Sequence, residues 1–177
     1  LDARDLKALA AAGALASLAD HRRLAYWDVA GVQTRPHLLR DAPVAETRPA
    51  LAAPHEAEDL VADYASIGLT LGRHPLALMR PRLARMRLMT AAQVRALPHG
   101  RPARTTGIVT TRQRPGTASG VVFVTLEDET GYVNVVVWGR LFERQRREAL
   151  GARLMTVYGT VEREGDVVHL VAARLVD

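Results

Sequence analysis

The stretch Gly120-Val-Val-Phe-Val-Thr-Leu-Glu-Asp-Glu-Thr-Gly-Tyr-Val-Asn-Val-Val-Val-Trp138 decides the fold. Two β-branched runs flank an acidic turn, which predicts strands over 120–126 and 132–138 joined by a hairpin at 127–131. Side chains alternate faces along a strand, so one parity fills a core and the other faces away from it. Val122, Val124 and Leu126 form the apolar set of one strand, and Val133, Val135 and Val137 that of the next. Phe123, Thr125, Tyr132, Asn134, Val136 and Trp138 then lie on the opposite face.

Upstream, Arg104 to Arg112 alternates as another strand, followed by a loop over 113–119 that holds Pro115 and Gly116. Gly107 and Val109 are expected inside, with Ile108, Thr110 and Arg112 outside. Downstream, 140–150 changes to helical periodicity, with Leu141, Phe142 and Leu150 inward and Arg144, Arg146, Arg147 and Glu148 solvated. Strands follow over 152–163 and 167–175, separated by the tight turn Glu164-Gly165-Asp166. Three strands, a helix and two strands in this order form the pattern of a five-stranded OB barrel. The fold class is therefore α+β: N-terminal helices and a linker, then the barrel, with a helix between its third and fourth strands.

The segment before the barrel is helical at both ends. Asp2 caps a first helix whose Leu6 and Leu9 share a face, and Gly13 stops it. Ser17 is read as capping a second stretch bearing Leu18, Arg22 and Leu24, with Tyr26 and Trp27 packed on it. Pro36, Pro43, Pro49 and Pro54 punctuate an Ala-rich region without periodicity, read as a linker or a draped loop. A helix over 56–66 presents Leu60, Val61 and Tyr64 on its apolar side. Pro75 opens a short helix through Met79, and Pro81 breaks the basic stretch Arg80 to Arg87. Thr90 and Gln93 make a capping box for a helix through Leu97. The expected divisions are residues 1–30, a linker at 31–55, a helical connector at 56–100 and the barrel at 101–177.

The 177 residues carry a net charge of +5, and Lys7 is the sole lysine. A GC-rich genome accounts for an excess of arginine equally well. It does not account for segregation: no acidic residue lies between Asp63 and Glu127, where ten arginines do. Such a field attracts polyanions, and the two-pronged guanidinium suits phosphate. The absence of cysteine excludes disulfides and thiolate metal sites and points to a reducing cytoplasm. No apolar run approaches the roughly 20 residues of a membrane span, and no signal-peptide pattern opens the chain, so no membrane association is expected. The start at Leu1 suggests a segment of a longer protein.

Two readings of Phe123 stand side by side. Either its ring is a platform for an unpaired base, or it packs beneath the helices of 76–97. As a platform it works with Thr110, Thr125 and Asn134 as polar edges and with Arg112 and Arg114 as phosphate contacts. Trp138, at a strand end, reads as structural. Glu127, Asp128 and Glu129 read as a solvated hairpin, since three consecutive carboxylates in a turn do not converge on one ion. No catalytic residues, metal ligands or cofactor are expected in this chain.

The run from Gly107 to Gly116 (GIVTTRQRPG), with 120–131 and 133–138, resembles the OB domain of error-prone C-family DNA polymerases. These are relatives of the replicative DNA polymerase III alpha subunit, found in damage-inducible mutagenesis cassettes. Tyr64 with Gly68-Leu-Thr-Leu-Gly-Arg-His-Pro-Leu76 is similar to the segment before that domain. Leu6-Lys-Ala-Leu-Ala-Ala-Ala-Gly-Ala-Leu15 resembles the end of the family's helix-hairpin-helix region, although a second glycine of that pattern is missing after Gly13. Gly139 stands where the family pattern has proline. The resemblance implies a polymerase parent whose catalytic carboxylates lie in a distant palm domain, and a fragment that holds single-stranded DNA during translesion synthesis and DNA repair. The alternative is docking of partner proteins of a mutagenesis complex, with Arg144, Arg146 and Arg147 on the helix surface. Residues 123–128 are also similar to anticodon-binding OB domains of class II tRNA synthetases, in which the matching aromatic stacks on a base. A free anticodon-binding domain is a third reading, against which the upstream helices argue.

Overall fold

Val122, Val124 and Leu126, and opposite them Val133, Val135 and Val137, are all buried, and a barrel closes around them. The computed structural model describes residues 1–32, 47–116 and 120–177. Its strands are β1 (Pro102–Gln113), β2 (Val122–Asp128), β3 (Gly131–Val137), β4 (Leu154–Glu164) and β5 (Val167–Val176). They run β1-β2-β3-β5-β4 around a closed barrel, with β3 and β5 parallel and the other pairs antiparallel. This is the expected OB fold. Closure depends on β1 changing partner at Ile108, which pairs with Leu154 of β4 and with Glu127 of β2. Gly107 sits at that corner, where a Cβ would come within 2.7 Å of Leu126 Cβ and 3.0 Å of the Glu127 nitrogen. Only glycine lets the strands approach so closely.

Two short helices, α7 (Gly139–Arg144) and α8 (Arg146–Gly151), stand where one was expected. The break falls at Gln145, whose side-chain Nε2 donates to Leu175 O at 2.7 Å while its Oε1 accepts from Leu175 N at 2.9 Å. Leu141, Phe142 and Ala149 are buried beneath these helices. Leu150 is exposed, contrary to expectation, because the break resets the helical phase and turns Ala149 inward instead.

Helices α5 (Pro75–Arg85) and α6 (Ala91–Ala96) lie against the barrel in one compact unit, Arg73–Asp177. The helix begun at Pro75 does not stop at Met79; it runs through Pro81 to Arg85. Leu76 and Leu83, two turns apart and both buried with Leu88, hold the flanks of that proline on one face. Arg80 pairs with Glu129 and, at 3.1 Å, with Asp128 Oδ2. The hairpin is therefore not simply solvated. Asp128 is buried and accepts from Ala91 N, Thr130 N and Thr130 Oγ1, so it fastens the start of α6 to the β2–β3 turn.

The other unit is Leu1–Gly72, with α1 (Ala3–Ala11), α2 (Ala16–Ala19), α3 (Arg22–Ala30) and α4 (Glu56–Ser66). The stretch 56–100, expected as one connector, thus contributes α4 to this unit and α5 and α6 to the other. Asp2 and Asp5 form a capping box for α1. Ser17 lies inside α2 rather than capping it, and His21 Nδ1 caps α3 by accepting from Leu24 N. Tyr26 and Trp27 remain about half exposed; Leu24, Ala25 and Val29 are the buried side of α3. On α4, Leu60 is partly buried as expected, but Val61 and Tyr64 are exposed. Its Asp59 and Asp63, one turn apart, both meet Arg22, and Thr70 Oγ1 donates to Asp63 at 2.6 Å. Of the expected 31–55 linker, residues 33–46 lie outside the described residues. Residues 48–52 touch α3 through Arg48 with Asp28, and through the Leu51 and Ala52 carbonyls with His21 and Arg23. Among the described residues no helix is long and apolar enough to cross a membrane.

Candidate nucleic-acid interface

The outer face of β1, β2 and β3 is arranged in cross-strand rows. Phe123 stands opposite Gln113 on one side and Val136 on the other. The next row is Thr111, Thr125, Asn134 and His169, from β1 across to β5. Beyond it Glu127 faces Tyr132. Phe123 is 37 % exposed and Tyr132 55 %, so neither ring is sealed in the core. Of the two readings of Phe123, burial beneath the 76–97 helices is excluded by this exposure.

A bulge between Val109 and Thr111 decides which β1 side chains share that face. Val109 pairs with Leu126 inside, Thr111 with Thr125 outside, and Arg112 with Val124 inside. The extra residue, Thr110, reverses the parity of everything after it. Thr111 and Gln113 therefore flank the Phe123 face, where Thr110 and Arg112 were expected. Thr110 Oγ1 reaches only the Thr125 carbonyl, at 3.4 Å.

Arg112 turns toward the end of α8, where its Nε donates to Ala149 O at 2.9 Å and its Nη2 to Ala152 O. A guanidinium there satisfies carbonyls that a helix C-terminus leaves open and meets the negative end of its dipole. Arg114 is exposed at the mouth of the loop, with its guanidinium 5.0 Å from the centroid of the buried Phe142 ring. Arg146 lies 5.3 Å from the same ring. Phe123, Thr125 and Asn134 are thus brought together; Arg112 is not with them, and Arg114 stands at the rim. The last part of the expected 113–119 loop, residues 117–119, lies outside the described residues.

The row beside Phe123 is a polar ladder. Thr111 Oγ1 donates to Thr125 Oγ1 at 2.9 Å, and Thr125 Oγ1 donates to Asn134 Oδ1 at 3.3 Å. The ladder uses the Asn134 carbonyl and leaves its NH2, with two donors, without a protein partner among the described residues. His169 Nδ1 at the end of the row is buried and has no hydrogen-bond partner among the described residues. At the far edge Arg95 lies 5.7 Å from the Tyr132 ring centroid and donates to Thr130 O at 3.1 Å.

Thr111, Gln113 and His169 escaped the sequence reading of this face, and Tyr132, placed on it by parity, was given no role there. Tyr132 was legible from parity alone; the others depend on the bulge and on the β3–β5 pairing. Trp138, expected to be structural, is 54 % exposed, and its contribution to α7 is a backbone carbonyl that accepts from Phe142 N. Below the face, Glu129 is held under the usual carboxylate range by its hydrogen bond from Arg80, and Arg80 is raised by the same bond.

Residues 103–177 match the family of OB-fold nucleic acid binding domains. The whole chain aligns with the error-prone DNA polymerase of Azoarcus sp. (strain BH72), 62 % identical over 177 residues. The chain is thus closely similar to a segment of error-prone DNA polymerases. Alkalilimnicola ehrlichii has a polymerase of the same description, 58 % identical over 177 residues. The chain spans 17 % of the length of each of these relatives. Among solved structures it is similar to asparaginyl-tRNA synthetase from Pyrococcus horikoshii, with 23 % identity and a TM-score of 0.42. That likeness covers 50 % of this chain and 21 % of the synthetase.

Proposed function

We propose that the β1–β2–β3 face holds single-stranded template DNA as an accessory part of an error-prone DNA polymerase, in the cytoplasm, during synthesis past lesions. The observation that carries this reading is the exposed Phe123 ring beside the Thr111–Thr125–Asn134 ladder. A base layered on such a ring gains about 1–3 kcal/mol and needs no particular sequence. The free Asn134 amide and the Thr125 hydroxyl meet base edges. Arg114 at the rim meets the phosphates, while Arg112 shapes the groove by tying β1 to α8. Thr110 acts through the strand, as the bulge that sets the parity of its neighbours. Nucleotidyl transfer belongs to other parts of the parent polymerase.

The test is anisotropy of a labelled oligo-dT with the 177-residue chain and with Phe123→Ala, at two salt concentrations. Weaker binding by the variant, and a fall in affinity with salt, are expected. Equal affinity of the two proteins removes Phe123 from the site.

A second reading, favoured by the exposure of Trp138 and Leu150 around α7 and α8, is docking of partner proteins of the mutagenesis complex. Pull-down of a partner that is lost in Trp138→Ala or in an Arg144, Arg146 and Arg147 triple variant, with DNA affinity intact, supports it.

A further inference from the structure

On a different side of the barrel from Phe123, a pocket of about 550 Å³ opens over the first half of β1, β4 and the end of β5. Arg104 and Tyr158, paired across β1 and β4, line it, and Tyr158 pairs in turn with Arg174, which lies beside the pocket and not in its lining. The Arg174 guanidinium lies 5.7 Å from the Tyr158 ring centroid. Met89, Pro102 and Ala173 supply apolar lining, Arg87 and Arg104 supply cations, and no lining residue is acidic.

Two backbone features build this pocket. The β4–β5 register shifts between Tyr158 and Gly159, which leaves Ala173 as the extra residue of a bulge. A Cβ at Gly159 would collide with the Val171 carbonyl, so the close crossing needs glycine there. The bulge turns Arg174 to the same face as Tyr158, the re-aiming that bulges provide. The second feature is Arg87. It closes α5 in the left-handed region at φ 56°, with Arg87 N bonded to Ala84 O and Leu88 N to Leu83 O. That helix-ending position favours glycine. Here it carries a guanidinium beside the pocket, and its carbonyl accepts from Arg104 Nε at 2.9 Å.

We infer that this pocket is a second nucleotide site, separate from the Phe123 face and independent of it. A planar base extends the Tyr158–Arg174 stack over the apolar lining, and its phosphate meets Arg87 and Arg104. An acidic peptide would satisfy the cations but has no flat ring to join the stack. The nucleotide chemistry has two sources, a unit of a DNA strand or a free nucleoside triphosphate.

The test is a titration of the nitrogen-15-labelled 177-residue chain, read at the Gly159 amide and Arg104 Nε resonances. The probes are a 5′-phosphorylated thymidine trinucleotide, thymidine triphosphate, inorganic phosphate and a hexaglutamate peptide. Saturable shifts with the trinucleotide assign the pocket to a strand, and shifts with the triphosphate alone assign it to free nucleotide. Equal shifts with phosphate or hexaglutamate, or none with either nucleotide, overturn the inference. Tyr158→Leu is expected to weaken nucleotide binding about tenfold. Arg87→Gly is the cleaner variant, because it relieves the backbone and keeps the fold while removing the cation. It is expected to bind severalfold more weakly while unfolding at no lower denaturant; unchanged affinity overturns the inference. Phe123→Ala leaves these shifts in place, so failure of one site is told apart from failure of the other.

Discussion

Gln145 holds Leu175 by both of its backbone groups, donating to the carbonyl at 2.7 Å and accepting from the amide at 2.9 Å. A side-chain amide thereby takes the place of a neighbouring strand at the end of β5. The same residue separates α7 from α8, so one side chain fixes both the break and the strand end. Gln145→Ala removes both bonds and leaves a part-buried amide and carbonyl open, at a cost of about 2 kcal/mol. Urea unfolding followed by far-ultraviolet circular dichroism checks this, and oligo-dT affinity is expected to stay unchanged.

Phe123→Ala is expected to weaken oligo-dT binding about tenfold without lowering stability, because the ring is exposed and fills no core space. Phe123→Tyr keeps the ring and is expected to keep the affinity. Anisotropy titrations of the two variants side by side separate loss of stacking from loss of fold.

Arg112 and Arg114 are expected to part company. Arg112 is tied to the Ala149 and Ala152 carbonyls, so Arg112→Met costs about 1–3 kcal/mol of stability. The salt dependence of DNA binding then stays as it was. Arg114→Gln leaves stability alone and lowers the slope of log affinity against log salt by about 0.7, the share of one phosphate contact on a single strand. Melting curves and a salt series distinguish the two.

The anchor at the hairpin predicts a direction with pH. The Glu129 carboxyl is lowered by its hydrogen bond from Arg80, so the unfolded chain takes up this proton before the folded one. The stabilisation is complete above the ordinary glutamate range and is lost as pH falls below about 4.3 and on through the folded value. Asp63, lowered by Thr70 and by Arg22, acts with the same sign in the N-terminal unit. Arg80→Met is expected to flatten the acid limb of stability against pH for the barrel unit, measured by urea midpoints across the acid range.

Alternation in β2 and β3 was readable without coordinates. Val122, Val124 and Leu126, and then Val133, Val135 and Val137, repeat at the strand period, and that period is a local property of the backbone. The order of three strands, a helix and two strands followed from the same local signals, as did the cap at Asp2 and the capping box at Thr90. The outward turn of Phe123 was legible for the same reason.

What the tertiary structure decided was each feature that depends on a partner distant in the chain. The bulge at Thr110 falls where β1 has passed from β4 to β2, and it put Thr111 and Gln113 on the outer face in place of Thr110 and Arg112. Asp128 is buried because α5 and α6 bring Arg80 and the Ala91 amide to it. Tyr158 stands between two arginines only after β1, β4 and β5 come into register. Periodicity reports the side of its own strand on which a residue lies. The group it meets there is chosen by strand pairing and by charges brought together from far apart in sequence, and no local pattern encodes that choice.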